Sequence, residues 1–113
     1  MTELTADFAD DGDRSVLSLT GELDIDSVGG LREQAQEHLA GGQIKALTLD
    51  LAGLTFLDSS GLGLLLEVRR LALGSDVAFE IVNVPPGPAR VIAIAGLSET
   101  FGLTDPAGGS TSS

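Results

Sequence analysis

An acid, two hydroxyls and two glycines, Asp58-Ser59-Ser60-Gly61-Leu62-Gly63, stand directly ahead of a run of leucines. The side chains of Asp58, Ser59 and Ser60 can each accept from the unpaired N–H groups that open a helix, so any one of them could be its N-cap. One cap is enough, which leaves two polar neighbours for other chemistry. A serine nucleophile in a strained elbow needs glycine two residues before and two after. Around Ser59 those positions hold Leu57 and Gly61, and around Ser60 they hold Asp58 and Leu62, so neither fits. The one histidine, His38, falls late on another helical stretch, where a surface imidazole favoured by the helix dipole is expected. Gly61-Leu62-Gly63 hints at a phosphate-binding turn, but Leu66 stands where the third glycine of a dinucleotide fingerprint belongs, and no lysine is near. Asp24, Asp26, Asp50 and Asp58 could hold a hard cation, yet they lack the dense alternate spacing of a calcium loop and read better as turns and caps. No metal and no cofactor is expected.

The elements that must position these residues follow from periodicity. Thr2 to Ala9 and Ser15 to Thr20 alternate as strands, and the cluster Asp10-Asp11-Gly12-Asp13 joins them as a hairpin. Gly21-Glu22-Leu23-Asp24 reads as a loop. From Ser27 to Ala40 the apolar Val28, Leu31, Ala35 and Leu39 recur at helical spacing, and Gly41-Gly42 ends the helix. Gly29 and Gly30 weaken its first turn by roughly 1 kcal/mol each relative to alanine. Ile44 to Leu51 alternates as a strand, a second helix is expected over about Ser60 to Leu73, and Val77 to Val84 reads as a strand covered on both faces. Pro85-Pro86-Gly87-Pro88 starts a third helix through Ala95, stopped by Gly96, and Leu97 to Leu103 packs a last short element. Residues 104–113, ending in DPAGGSTSS, read as a disordered tail.

Strand, strand, helix, strand, helix, strand, helix predicts an α/β fold: a mixed, mainly parallel sheet of four to five strands with an edge hairpin and three to four helices. Function in such sheets gathers where strands end and helices begin. Gly21–Asp24 and Asp58–Gly61 both lie at such junctions, which could bring them together. In the second helix Leu62, Leu65 and Leu66 make one apolar stripe, and Leu64, Val68 and Leu71 another nearly opposite. The sheet accounts for one; the other is either covered by a neighbour or open as a contact surface.

Composition narrows the partners. The 113 residues carry six basic and 17 acidic side chains, a net charge of −11, so nucleic acid is not expected to bind. The charge serves solubility, or complements a basic protein partner. Apolar residues make up 42%, as in a globular domain, yet no apolar run reaches the roughly 20 residues that span a bilayer. The acidic N-terminus does not look like a signal peptide, and with no cysteine a cytoplasmic protein is expected, without direct membrane insertion.

Leu47 to Leu66, LTLDLAGLTFLDSSGLGLLL, resembles the signature stretch of STAS-domain anti-sigma factor antagonists, and Gly21 to Gln34, GELDIDSVGGLREQ, resembles that family's other marked stretch. The resemblance covers residues 3–103 as one STAS domain. It implies a STAS-like fold and partner switching in a bacterial transcription-regulating pathway. The unphosphorylated antagonist binds an anti-sigma factor that is also a serine kinase with a histidine-kinase-like ATP fold, which releases the sigma factor. The kinase then phosphorylates the first serine of the motif, here Ser59, and a serine phosphatase restores it. By this resemblance the chain is a binder and a substrate, not an enzyme. Asp24 and Asp58 match the acidic positions beside that serine, and Ser60, Gly61, Leu62 and Leu64 complete the expected partner-binding set. Gly29-Gly30 departs from the pattern, and Ser60 offers a competing hydroxyl. Two other readings stay open: a constitutive STAS subunit of a stress-signalling or lipid-transport complex, and a small enzyme using Asp58 with Ser59 as a nucleophile pair.

Overall fold

The computed structural model of the chain describes residues 3–103. The expected tail and the start of the first strand at Thr2 lie outside the described residues. Strands β1 (Thr5–Asp11) and β2 (Arg14–Leu23) form the hairpin, with Gly12 and Asp13 as its turn. Helix α1 (Val28–Ala40) follows, then β3 (Ala46–Leu57), α2 (Ser59–Gly74), β4 (Ala78–Val82) and α3 (Pro86–Ile94). The sheet has four strands in the order β1-β2-β3-β4; β1 pairs antiparallel with β2, and the other two pairings are parallel. This is the expected α/β architecture. No helix among the described residues is long and apolar enough to cross a membrane.

Alternation decides which face carries the core. Leu17, Leu19 and Leu23 of β2 and Leu47, Leu49 and Leu51 of β3 are all buried, joined by Leu31, Ala35 and Leu39 from α1, Leu64, Leu65, Val68 and Ala72 from α2, and Ile92 from α3. The opposite face carries Val16, Ser18, Thr48 and Asp50 half-buried, with Ala78 and Glu80 exposed. The apolar stretch Val77–Val84 is therefore covered on one side only. Its outer positions are the exposed Ala78 and Glu80 and the half-buried Val82, so it is an edge strand of a one-sided sheet rather than the doubly covered strand that its composition suggests.

Two boundaries that bear on the site differ from the sequence reading. Gly21–Leu23, expected as a loop, continues β2, while β3 runs six residues past Leu51 to Leu57. The parallel register slips twice: Ser18 faces Asp50 but Thr20 faces Gly53, and Gly21 faces Leu54 but Glu22 faces Phe56. Each slip gives β3 an extra residue, and each extra residue switches the face on which the next side chain lies. That is why burial passes from Leu51 to Leu54 and then Leu57, in steps of three instead of two. Gly21, at φ +107°, occupies a conformation that L side chains rarely adopt, and a Cβ there would run into the backbone carbonyl of Glu3. Finally, Leu97–Leu103 is a single closed turn in which Phe101 is buried against Phe79.

Candidate functional site

The slips end in a matched pair: Leu23 and Leu57 are register partners on adjacent parallel strands. Such strands lie about 4.8 Å apart. The next residue on each, Asp24 and Asp58, therefore leaves the sheet side by side with the other, and the Asp58 amide still donates to the Leu23 carbonyl at 3.4 Å. Both helix starts are thus held at one end of the sheet by one register.

Asp58 is the N-cap of α2. Its backbone is extended (φ −111°, ψ −173°), its side chain accepts from the Gly61 amide at 3.0 Å, and its carbonyl accepts from the Leu62 amide at 2.9 Å. Ser59 is then the first helical residue, one position earlier than expected. It is exposed, and no hydrogen bond within the described residues engages its hydroxyl. Ser60 follows half-buried. Of the three capping types, one caps, and one stands open at the positive end of a helix.

Gly61 fixes how closely this helix start approaches the sheet. A Cβ on it would lie 2.5 Å from the Leu23 carbonyl oxygen and 2.7 Å from Leu57 Cδ1. Only a glycine lets the first turn of α2 rest against the ends of β2 and β3. Leu62 and Leu64, expected to touch a partner, are buried at 7% and 1% exposure. Here the sequence reading is corrected: both leucines are covered within the domain, where α1 packs against α2 and the pair is tied by Arg32 Nε, 3.0 Å from both carboxylate oxygens of Glu67. Leu62 and Leu64 anchor the helix that carries Ser59 instead of meeting solvent.

Asp24 does local work as well. Its carbonyl accepts from the amides of Ser27 and Val28, both at 3.1 Å, and its Oδ1 accepts from the Asp26 amide at 3.0 Å. The Ser27 hydroxyl accepts from the Asp24 amide at 3.0 Å and donates to the Glu22 carbonyl at 3.1 Å. The Asp24 carboxylate is a turn former, and Asp50 likewise accepts from the Ala52 amide and from Asn83.

His38 is not the exposed surface residue that its position suggests. Its ring stacks on Phe8 (centroids 3.9 Å apart, planes at 15°), and Nε2 lies 2.9 Å from Ser15 Oγ and 3.0 Å from Asp10 Oδ1. Ser15 Oγ donates to Asp10 Oδ1 at 2.6 Å. Serine, histidine and aspartate are together, but not as a nucleophile and its base. Ser15 is buried to 1% exposure, its proton is committed to Asp10, and both contacts of the imidazole run through one nitrogen. These hydrogen bonds hold Asp10 below the usual carboxylate range, chiefly through Ser15 and then His38. The cluster ties the hairpin to the C-terminal turn of α1, the opposite end of that helix from Asp24.

Comparison with known proteins places this geometry. The family model described as "Mlab, STAS domain" matches residues 6–105. The anti-sigma-F factor antagonist RsfB of Mycobacterium tuberculosis is 34% identical over 100 residues, covering 88% of this chain and 80% of that protein. The chain belongs to the STAS-domain family. An anti-sigma F factor antagonist of Paenibacillus polymyxa is 30% identical over 90 residues, covering 80% of the chain and 77% of its own length. The crystal structure of an anti-sigma factor antagonist from Mycobacterium paratuberculosis superposes with a TM-score of 0.79 at 32% identity, over 89% of this chain and 85% of that one.

Two residues of this STAS domain were missed as surface features. Ile25, in the Asp24–Ser27 turn, is 67% exposed, and Phe56, on the second register slip, is 46% exposed. Their signals are in the sequence: an isoleucine between two aspartates, and a phenylalanine that breaks the three-residue spacing of Leu51, Leu54 and Leu57.

Proposed function

We propose that this chain is an anti-sigma factor antagonist that works by partner switching. Unphosphorylated, it binds an anti-sigma factor that is also a serine kinase with a histidine-kinase-like ATP fold; phosphorylation of Ser59 releases it, and a serine phosphatase resets it. The chain is the substrate and the binder, acts in the cytoplasm, and regulates transcription through the sigma factor that its partner holds. Asp24, Asp58 and Ser60 meet the partner around Ser59, with Gly61, Leu62 and Leu64 fixing the helix beneath them. The observation that carries this reading is the exposed, unengaged Ser59 hydroxyl at the first position of α2, capped by Asp58, in a chain whose relatives are named anti-sigma factor antagonists. The small-enzyme alternative finds no support here, because the Asp58 carboxylate accepts from the Gly61 amide and no hydrogen bond among the described residues joins it to the Ser59 hydroxyl.

The test is a titration of the partner kinase with unmodified and Ser59-phosphorylated protein, with the fold of each checked by melting. Phosphate adds about −1.5 to −2 charges at neutral pH. A single like charge on the partner about 6 Å away costs roughly 3 kcal/mol at an effective dielectric of 20, which is about a hundredfold in affinity. Mass mapping should place the phosphate on Ser59, leave Ser60→Ala modifiable, and find Ser59→Ala unmodified but still bound. Equal affinities with and without phosphate would instead leave a constitutive STAS subunit of a stress-signalling or lipid-transport complex.

A further inference from the structure

Helix α1 begins poorly. Its N-cap Ser27 makes no capping hydrogen bond to it, no acid occupies its first turn, and its second and third residues are Gly29 and Gly30. Glycine inside a helix forfeits stability relative to alanine. Gly61 shows what justifies such a loss, since a Cβ there would strike the sheet. Nothing comparable applies here: a Cβ on Gly29 or Gly30 would meet nothing within 4 Å, and neither residue is at positive φ. Packing therefore does not explain these glycines.

Gly30 lines a cleft of about 470 Å³ between the start of β1, the end of β2 and the first turns of α1. Leu4, Ala6 and Leu31 give it apolar lining. Glu3, Glu22, Asp24 and Asp26 also line it, and no lysine or arginine does among the described residues. Of the residues around Ser59, Asp24 alone reaches it, so the cleft adjoins the phosphorylation site without containing it.

We propose that this cleft receives a long basic side chain from the protein that binds at Ser59, and that residue 30 is glycine so that the mouth stays open. The apolar lining suits the methylene stem of arginine or lysine, and the carboxylates suit its charged head. A cleft whose only charged side chains among the described residues are acids, in a chain of net charge −11, complements a basic partner. This rests on the partner-binding reading above and adds where a charged anchor of that partner goes.

The experiment titrates isotope-labelled protein with Nα-acetylated arginine amide and, separately, with its neutral isostere Nα-acetylated citrulline amide, following backbone amides by NMR. Arginine amide should give saturable shifts at Leu4, Ala6, Gly30 and Leu31, and citrulline amide should not. In Gly30→Phe, which adds a large side chain at the lining of the cleft, those shifts should vanish and the affinity for the anti-sigma factor should fall at least tenfold. Gly30→Ala should melt higher than wild type. Should Gly30→Phe not fold, the double variant Glu22→Gln with Asp26→Asn removes two charges and should weaken arginine amide severalfold. Shifts elsewhere, or equal shifts with citrulline amide, overturn the proposal. A folded Gly30→Phe that binds the anti-sigma factor as tightly as wild type overturns it too, while leaving the switch at Ser59 standing. Wild type that takes arginine amide but binds no anti-sigma factor overturns both.

Discussion

Asp58 can be separated into a cap and a charge. The cap is one hydrogen bond, Gly61 N–H to Asp58 Oδ1 at 3.0 Å; the backbone bond from Leu62 N–H to the Asp58 carbonyl does not depend on the side chain. Asp58→Ala removes the first and keeps the second, a loss of about 1 kcal/mol for an N-cap. It also removes an anion from the positive end of α2, worth roughly 0.3–1 kcal/mol at low salt. Together these come to about 1.5 kcal/mol, or a Tm lower by about 6–10 °C in a domain of this size. Asp58→Asn keeps an acceptor that caps as well as aspartate and loses only the charge, so its Tm should fall by about 2–4 °C, less in high salt. Circular-dichroism melts of both variants at low and high salt measure this. If asparagine cost as much as alanine in high salt, Asp58 would not be acting as a cap. Partner affinity on the same samples then reads the remaining role: Asp58→Asn that melts normally but binds weakly places the carboxylate against the partner.

Three further outcomes are expected. Gly61→Ala puts a Cβ 2.5 Å from the Leu23 carbonyl oxygen, and an overpacking cost of about 1–3 kcal/mol should outweigh about 1 kcal/mol of helix propensity, lowering Tm; an unchanged Tm would refute the close approach. Asp24→Asn keeps an Oδ1 acceptor for the Asp26 amide, so it should melt within about 2 °C of wild type while binding the partner about tenfold more weakly; lost stability with intact binding would make Asp24 a turn former alone. Asp10 titrates below its usual value in the folded chain, so its contribution is present above about pH 4 and is lost as pH falls through the lowered folded value. Melting followed from pH 7 to pH 2 should therefore fall more steeply at the acid end for wild type than for Asp10→Asn, and parallel curves would remove the Ser15 and His38 contacts from the account.

Element types were legible because the leucine pattern is regular: Leu47, Leu49 and Leu51 mark a strand as plainly as Leu31, Ala35 and Leu39 mark a helix face. The motif stretches were legible too, and the register of Leu23 with Leu57 brings Asp24 and Asp58 together as their junction positions suggested. What was not legible depends on a neighbour. The slips that extend β3 to Leu57 are a relation between two strands, visible in sequence only as the three-residue spacing of Leu51, Leu54 and Leu57. The burial of Leu64 depends on the elements packed around α2, which a single helix's periodicity cannot report. His38 is placed by Asp10 and Ser15, one on each strand of the hairpin, so reading its own helix gave the wrong environment.

A switch that removes binding must leave the domain standing, and the position of Ser59 bears on whether it can. An exposed phosphate there would carry about −1.5 to −2 charges beside the Asp58 carboxylate. At about 6 Å in water each unit pair costs roughly 0.7 kcal/mol, so the repulsion is about 1–1.5 kcal/mol. The first turn of α2 opposes it, since each negative charge at a helix N-terminus gains roughly 0.3–1 kcal/mol, or about 0.5–2 kcal/mol for the phosphate. The two terms are of one size and opposite sign, and both are screened because the site is open. Folding is then nearly indifferent to the modification. Across a docked interface the balance changes, because water is excluded and the phosphate's bulk and desolvation meet the partner without an offset. Ser60, half-buried one residue further on, does not have that indifference: a phosphate there would have to displace what covers it. The exposed first position of the helix is where a charge can be added at the partner's expense and not at the fold's.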